Sequence, residues 1–221
     1  MPNGRKTEPT TPQRIIVDGM AWAEIVGVAQ TDMAAIHTDM ARRSARYNRA
    51  VVTRRSRGPV DFDPYPIARP TGITWYVRFF TKGYADFKRG GLWFTLYGLF
   101  HFNGHLWAVF TFGQPPYGFA FFSGHFFDRY RERYLLDVER GTADVVHEYF
   151  KHNAVGWSKG NTDGGIFVTT EQGAALGVVE DGVEIIKTFI TPEQMYDEQQ
   201  RAREQGLTII NEHTNNERQY K

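Results

Sequence analysis

Between Leu92 and Phe112 the chain is almost uninterruptedly apolar and aromatic, over roughly the 20 residues that a membrane-spanning helix needs. Three features turn this stretch into a sheet instead. Asn103-Gly104 sits at its centre, His101 and His105 flank that pair, and the composition is aromatic and β-branched. Asn-Gly between two apolar runs signals a two-residue hairpin, because both turn positions need positive φ. The register follows: Phe102 opposite His105, Phe100 opposite Trp107 and Gly98 opposite Val109. Both faces of such a hairpin are apolar. The sheet must therefore be covered on each side by helices, by another sheet or by a partner chain.

The remaining segments give an α+β fold, with a mainly antiparallel aromatic-rich sheet, flanking helices and an N-terminal helical arm. Residues 1–17 read as a flexible tail, and residues 18–57 as a helix in which Met20, Ile25, Val28, Met33 and Ile36 supply the apolar face and Gly19 and Gly27 are weak points. Residues 58–72 hold four prolines and read as a loop or linker. The core domain spans 73–205. It opens on a strand from Ile73 to Phe80, followed by a loop bearing Lys82, Lys88 and Arg89 and then by the hairpin. Ser123 is placed to cap a helix from Gly124 to about Leu136, and a second helix runs from Thr142 to His152. Gly156 to Gly165 reads as a loop. Strands follow at Ile166–Thr170, Ala174–Val179 and Val183–Thr191, the last two joined at Asp181-Gly182. Pro192 opens a final helix to about Gln205, and residues 206–221 form a polar tail.

Composition removes whole classes of chemistry. Without cysteine there is no disulfide framework and no thiolate metal site. The segment Met1–Gln13 is polar, carries three prolines and lacks the apolar run of a secretory signal, which reads as a cytoplasmic protein. No membrane partner is expected. His101 and His105 point to opposite sheet faces and do not make a joint metal site, so no metal and no cofactor is expected. Gly160-Asn-Thr-Asp-Gly164-Gly165 lacks the lysine and spacing of a phosphate-binding loop. Ser123-Gly124-His125 lacks the order of a hydrolase nucleophile elbow.

Charge is unevenly spread. The net charge is +1, yet Arg42, Arg43, Arg46, Arg49, Arg54, Arg55 and Arg57 occur without one acidic residue among them, leaving −6 for the rest. A basic block on a mildly acidic body suits an anionic partner such as nucleic acid, or the acidic face of another subunit; a solvated helix face accounts for it equally well.

The helix after Ser123 carries the second constellation. At about 100° per residue, His125, Asp128, Arg129, Glu132 and Arg133 share one arc, and Phe126, Phe127, Tyr130 and Tyr134 share another. One titratable ring and two fixed cations in a row suit metal-free phosphodiester cleavage, with His125 as acid or base and Arg129 and Arg133 on the phosphate. Ordinary ion pairing accounts for the same residues, since Asp128 and Glu132 stand at helix spacing from Arg131, Arg129 and Arg133.

The helix His125-Phe-Phe-Asp-Arg129-Tyr-Arg-Glu-Arg133, a second helix and strands ending in Lys187-Thr188-Phe189-Ile190-Thr191 together resemble the barnase–EndoU–colicin–RelE-like ribonuclease superfamily over about residues 124–200. The resemblance implies an α+β fold and metal-independent RNA cleavage by 2′-hydroxyl attack. It also implies supporting roles for Lys187, Thr188 or Thr191. The competing reading is a non-catalytic protein that binds nucleic acid, or assembles with a protein partner or a second copy, through the Arg-rich helix and the aromatic sheet.

Overall fold

A computed structural model describes residues 14–113, 117–153, 157–160 and 164–216. The expectations for residues 1–13 and 217–221, and for residues 161–163 of the Gly160–Gly165 segment, lie outside the described residues. The fold is α+β and is built on one ten-stranded sheet. Its strands are β1 (Val60–Asp61), β2 (Tyr65–Ala68), β3 (Thr74–Thr81), β4 (Trp93–Phe102), β5 (His105–Phe112), β6 (Gly118–Phe122), β7 (Trp157–Gly160), β8 (Gly165–Thr170), β9 (Gly173–Glu180) and β10 (Val183–Ile190). The order is β1-β3-β4-β5-β6-β10-β9-β8-β7, with β2 also on β3. All neighbours are antiparallel except β6 and β10, which run parallel.

The β4–β5 hairpin has the register expected from Asn103-Gly104. Both turn residues have positive φ, 50° and 73°. Gly98 is required for a different reason: a Cβ there would lie 2.5 Å from Ile73 Cγ2 and 3.1 Å from the Trp75 ring, so the side chains of Ile73 and Trp75 already fill the space that a side chain at this position would need.

Helices cover both faces. Helix α1 (Trp22–Arg54) is a single helix, unbroken at Gly27, which faces open space. Its buried face, with Ile25, Val28, Met33 and Ile36, packs on Phe100, Val109, Phe121 and Ile185. On the other side α3 (Gly124–Tyr130) and α4 (Thr142–His152) bury Phe126, Phe127, Tyr149 and Phe150 against Tyr97, Leu99, Phe122 and Phe189. A last helix, α5 (Asp197–Asn216), extends well past Gln205 and covers β8 and β7. Met195 and Ala202 pack there with Phe167 and Ile190.

Four local expectations are corrected. The proline-rich segment 58–72 contributes β1 and β2, whose backbone groups pair with β3; Pro66 is tolerated in β2 because that strand has a neighbour on one side only. Residues 14–17 are not a loose tail, since Ile16 is buried and its N–H donates to the Thr71 carbonyl at 3.0 Å. The loop bearing Lys88 and Arg89 contains a short helix, α2 (Tyr84–Gly90), and the segment read as a loop before Gly165 contains β7.

One polar node clamps α1 to the sheet. Asp32 is fully buried and accepts hydrogen bonds from Arg69 Nε (3.0 Å), Thr71 Oγ1 (2.6 Å) and Trp75 Nε1 (2.9 Å). A buried carboxylate is tolerable only with such a shell, because desolvation of an unpaired charge costs several kcal/mol, on the order of the whole net stability.

Candidate nucleic-acid interface

The arginine block occupies the C-terminal half of α1 and the turn beyond it. Relative to the buried face of the helix, Arg42, Arg46 and Arg49, spaced i, i+4 and i+7, point the opposite way, whereas Arg43 and Arg54 border the sheet. Contacts follow that geometry. The Arg43 guanidinium lies 4.6 Å from the centre of the Tyr65 ring and that of Arg54 5.7 Å from Phe62. Asp39 pairs with Arg43 (2.7 Å) and with Arg42. Arg46, Arg55 and Arg57 have no acidic partner among the described residues, and all seven arginines are exposed.

The fold enlarges this surface beyond what the sequence grouped. Arg55 caps α1 in the left-handed conformation (φ 46°), turning the chain. Tyr84 N–H then donates to the Ser56 carbonyl at 2.8 Å, docking α2 beside the end of α1. A Cβ on Gly83 would collide with the Arg57 carbonyl, so the two segments are in backbone contact. Lys88 and Arg89, both exposed in the last turn of α2, thereby join Arg54, Arg55 and Arg57 at one end of the molecule. That was missed because α2 is only seven residues long and 30 positions downstream of Arg54.

The aromatic residues of the sheet, the other surface in the binding reading, divide. Tyr97 is in the core at 1% exposure, and Trp107 is half-buried, 4.9 Å from Trp22 between ring centres. Trp93 and Phe94 are exposed at the start of β4. Tyr97 donates or accepts across a 2.7 Å contact to His147 Nδ1, and burial lowers the pKa of that ring from its ordinary 6.5. His147 is thus engaged with Tyr97 and stands edge-on to Tyr76, a structural role. No group of three metal-ligating side chains occurs among the described residues.

The helix after Ser123 starts as expected, with Ser123 Oγ accepting from Phe126 N–H at 3.2 Å. It is stitched to β10: Ser123 N–H donates to the Ile186 carbonyl at 3.0 Å and its hydroxyl to the Lys187 carbonyl at 3.3 Å. His125 is exposed, with Nε2 3.4 Å from Arg129 Nε. The row ends there, because residues Arg131–Leu135 form a π-helical turn. The wider turn shifts Arg133 off the 3.6-residue arc, and its Nη1 donates to the Phe189 carbonyl at 2.5 Å. Arg129 pairs with Glu132 at 2.7 Å and Arg131 with Asp128 at 2.9 Å.

Of the late-strand residues, Lys187 and Thr191 are also engaged. Lys187, at a bulge in β10, pairs with Glu180 at 2.6 Å. Thr188 is half-buried. Thr191 is 8% exposed and opens the turn Pro192–Gln194, its N–H donating to Gln194 Oε1 at 3.3 Å. The strand and helix named from the ribonuclease resemblance do meet, through the bonds of Ser123 and Arg133 to β10 carbonyls and the packing of Phe126 and Tyr130 on Phe189, while their charged side chains are taken up in ion pairs within the helix and between β9 and β10. Neither a pocket between α4 and the sheet nor one beside Pro192 is lined by His125, Arg129 or Arg133.

Among the described residues no helix is long and apolar enough to cross a membrane. No protein-family model, curated protein or solved structure matches this chain.

Proposed function

We propose that the chain binds nucleic acid through the basic end formed by α1 and α2. The observation that carries this reading is the convergence of Lys88 and Arg89 with the seven exposed arginines, where among the described residues the only carboxylates paired with the arginines are Asp39, with Arg42 and Arg43, and Asp86, with Arg89 at 3.9 Å. Guanidinium forks suit phosphate oxygens, and arginine is more weakly hydrated than lysine, so it gives up its water more readily on binding them. Arg42, Arg46 and Arg49 span about 10 Å of helix. A duplex presents a phosphate charge every ~1.7 Å, so a row of that length always has phosphates in reach. Sequence-independent binding is expected, because these cations present phosphate-binding groups on an exposed helix face and line neither the pocket between α4 and the sheet nor the one beside Pro192.

Cleavage is the second reading, and it rests on the exposed His125 beside Arg129. Its cations are already paired within the fold, which leaves charge stabilisation of a phosphorane to Arg129 in competition with Glu132.

Fluorescence anisotropy with a labelled 20-nucleotide RNA separates the readings. Binding without scission is expected in EDTA, and Arg42→Gln/Arg46→Gln/Arg49→Gln is expected to weaken it at least tenfold. Unchanged affinity in that triple variant would overturn the proposal. RNA scission in EDTA that disappears in His125→Ala would establish the catalytic reading instead.

A further inference from the structure

A pocket of about 130 Å³ opens to solvent between α4 and the sheet, on the face opposite α1. Its wall is aromatic: Phe110, Phe112, Phe122 and Phe150 line it. Phe150 stacks on Phe110 (5.4 Å between centres, 6° between planes) and meets Phe122 edge-on at 5.3 Å, so these rings are held rigidly. Two polar side chains interrupt the wall. Glu184, on β10, is half-buried, and its carboxylate has no hydrogen-bond or ion-pair partner among the described residues. Asn153, just after α4, is 6% exposed. Its Nδ2 donates to the Tyr149 carbonyl (3.0 Å) and to Gln172 Oε1 (2.8 Å), while its Oδ1 is buried with no partner among the described residues.

The Glu184 carboxylate, the Asn153 amide oxygen and the negative faces of the phenyl rings are all electron-rich. A buried acceptor left unpaired is costly, and a half-buried carboxylate without a cation adds to that cost. Such a set is complementary to a ligand that carries a positive charge with N–H donors on a small apolar body. We propose that this pocket binds a small organic ammonium ion, with the apolar body among the four phenylalanines, the ammonium at Glu184 and an N–H on Asn153 Oδ1. In size it is close to cavities of about 150 Å³ that accept benzene. The site lies on the other face of the sheet from α1, and it stands or falls independently of the nucleic-acid reading.

Benzylammonium and its neutral counterpart benzyl alcohol, titrated calorimetrically into the full chain at pH 7.5, test this. Saturable binding of benzylammonium is expected, at least tenfold tighter than benzyl alcohol. Glu184→Gln, which keeps the shape of the side chain, should bring the ratio of the two affinities close to one. Ala120→Ile, which fills the pocket from β6, should remove both. Absence of saturable binding, equal affinities in the wild type, or a ratio preserved in Glu184→Gln would each overturn the proposal. If Ala120→Ile proves unfolded by circular dichroism, the Glu184→Gln comparison decides alone.

Discussion

Single carboxylates define the two extremes of this molecule's chemistry. Asp32 is buried with three donors around it, so its removal strands Arg69, Thr71 and Trp75 Nε1 inside the α1 interface. Asp32→Ala is expected to cost about 3–5 kcal/mol, the range for breaking a buried charged network by deleting one partner. Urea denaturation followed by tryptophan fluorescence reads this as a fall in midpoint. Glu184 is the opposite case. Burial raises its pKa above the ordinary 4.5. A carboxyl raised in the folded state contributes stability below its unfolded value and loses it as pH rises through the folded value. Above the folded value the ionised group is therefore a liability in the unliganded protein, and Glu184→Gln is expected to raise the urea midpoint there. A lowered midpoint would mean that the carboxylate is paired. Neither role was legible in the sequence. The partners of Asp32 lie 37, 39 and 43 positions away, and no periodicity links a helix to a turn across that distance.

At the level of elements, local signals that carry their own geometry were the readable ones. Asn103-Gly104 fixed the register of β4 and β5, Ser123 marked the start of α3, and Thr142–His152 is a helix over the bounds expected from its pattern. What failed was regularity assumed beyond its support. Helical spacing placed Arg133 beside His125 and Arg129, but the π-helical turn at Arg131–Leu135 takes it to the Phe189 carbonyl. Short pieces were also invisible: α2 and β7 are too brief for a periodic signal. Two predictions belong here. Ser123→Ala removes the cap of α3 and is expected to cost about 1 kcal/mol in urea denaturation. The docking of α4 through His147 and Tyr97 should be pH-sensitive. Because burial lowers the His147 pKa, the unfolded chain binds more protons between the folded value and the ordinary 6.5. The contribution is complete above 6.5 and is lost as pH falls through the folded value. His147→Asn keeps an acceptor for the tyrosine without a titrating ring, and the wild-type stability minus that of the variant is expected to decline on acidification. A difference that stays flat from pH 7.5 to 5 would contradict this.

The whole molecule is a single broad sheet with opposite faces differently used. One is covered by a long helix whose far end projects arginines away from the core, and the other by two short helices that leave an aromatic pocket against the strands. The α+β class and the covering of both faces followed from the apolar hairpin, since neither side of it tolerates water. The parallel pairing of β6 with β10, which brings the two halves of the sheet together, did not, because it joins segments more than 60 residues apart. The basic surface was half legible: the arginine run is contiguous in sequence, and its extension by α2 needs the fold.

The most direct test of the nucleic-acid claim is the salt dependence of RNA affinity, measured by anisotropy between about 50 and 300 mM KCl, for the wild type and for Arg42→Gln/Arg46→Gln/Arg49→Gln. Each phosphate contact contributes about 0.7 to the slope of log affinity against log salt on a single strand. Losing three is expected to flatten the slope by about 2. Identical slopes, or wild-type binding that ignores salt, would contradict the account.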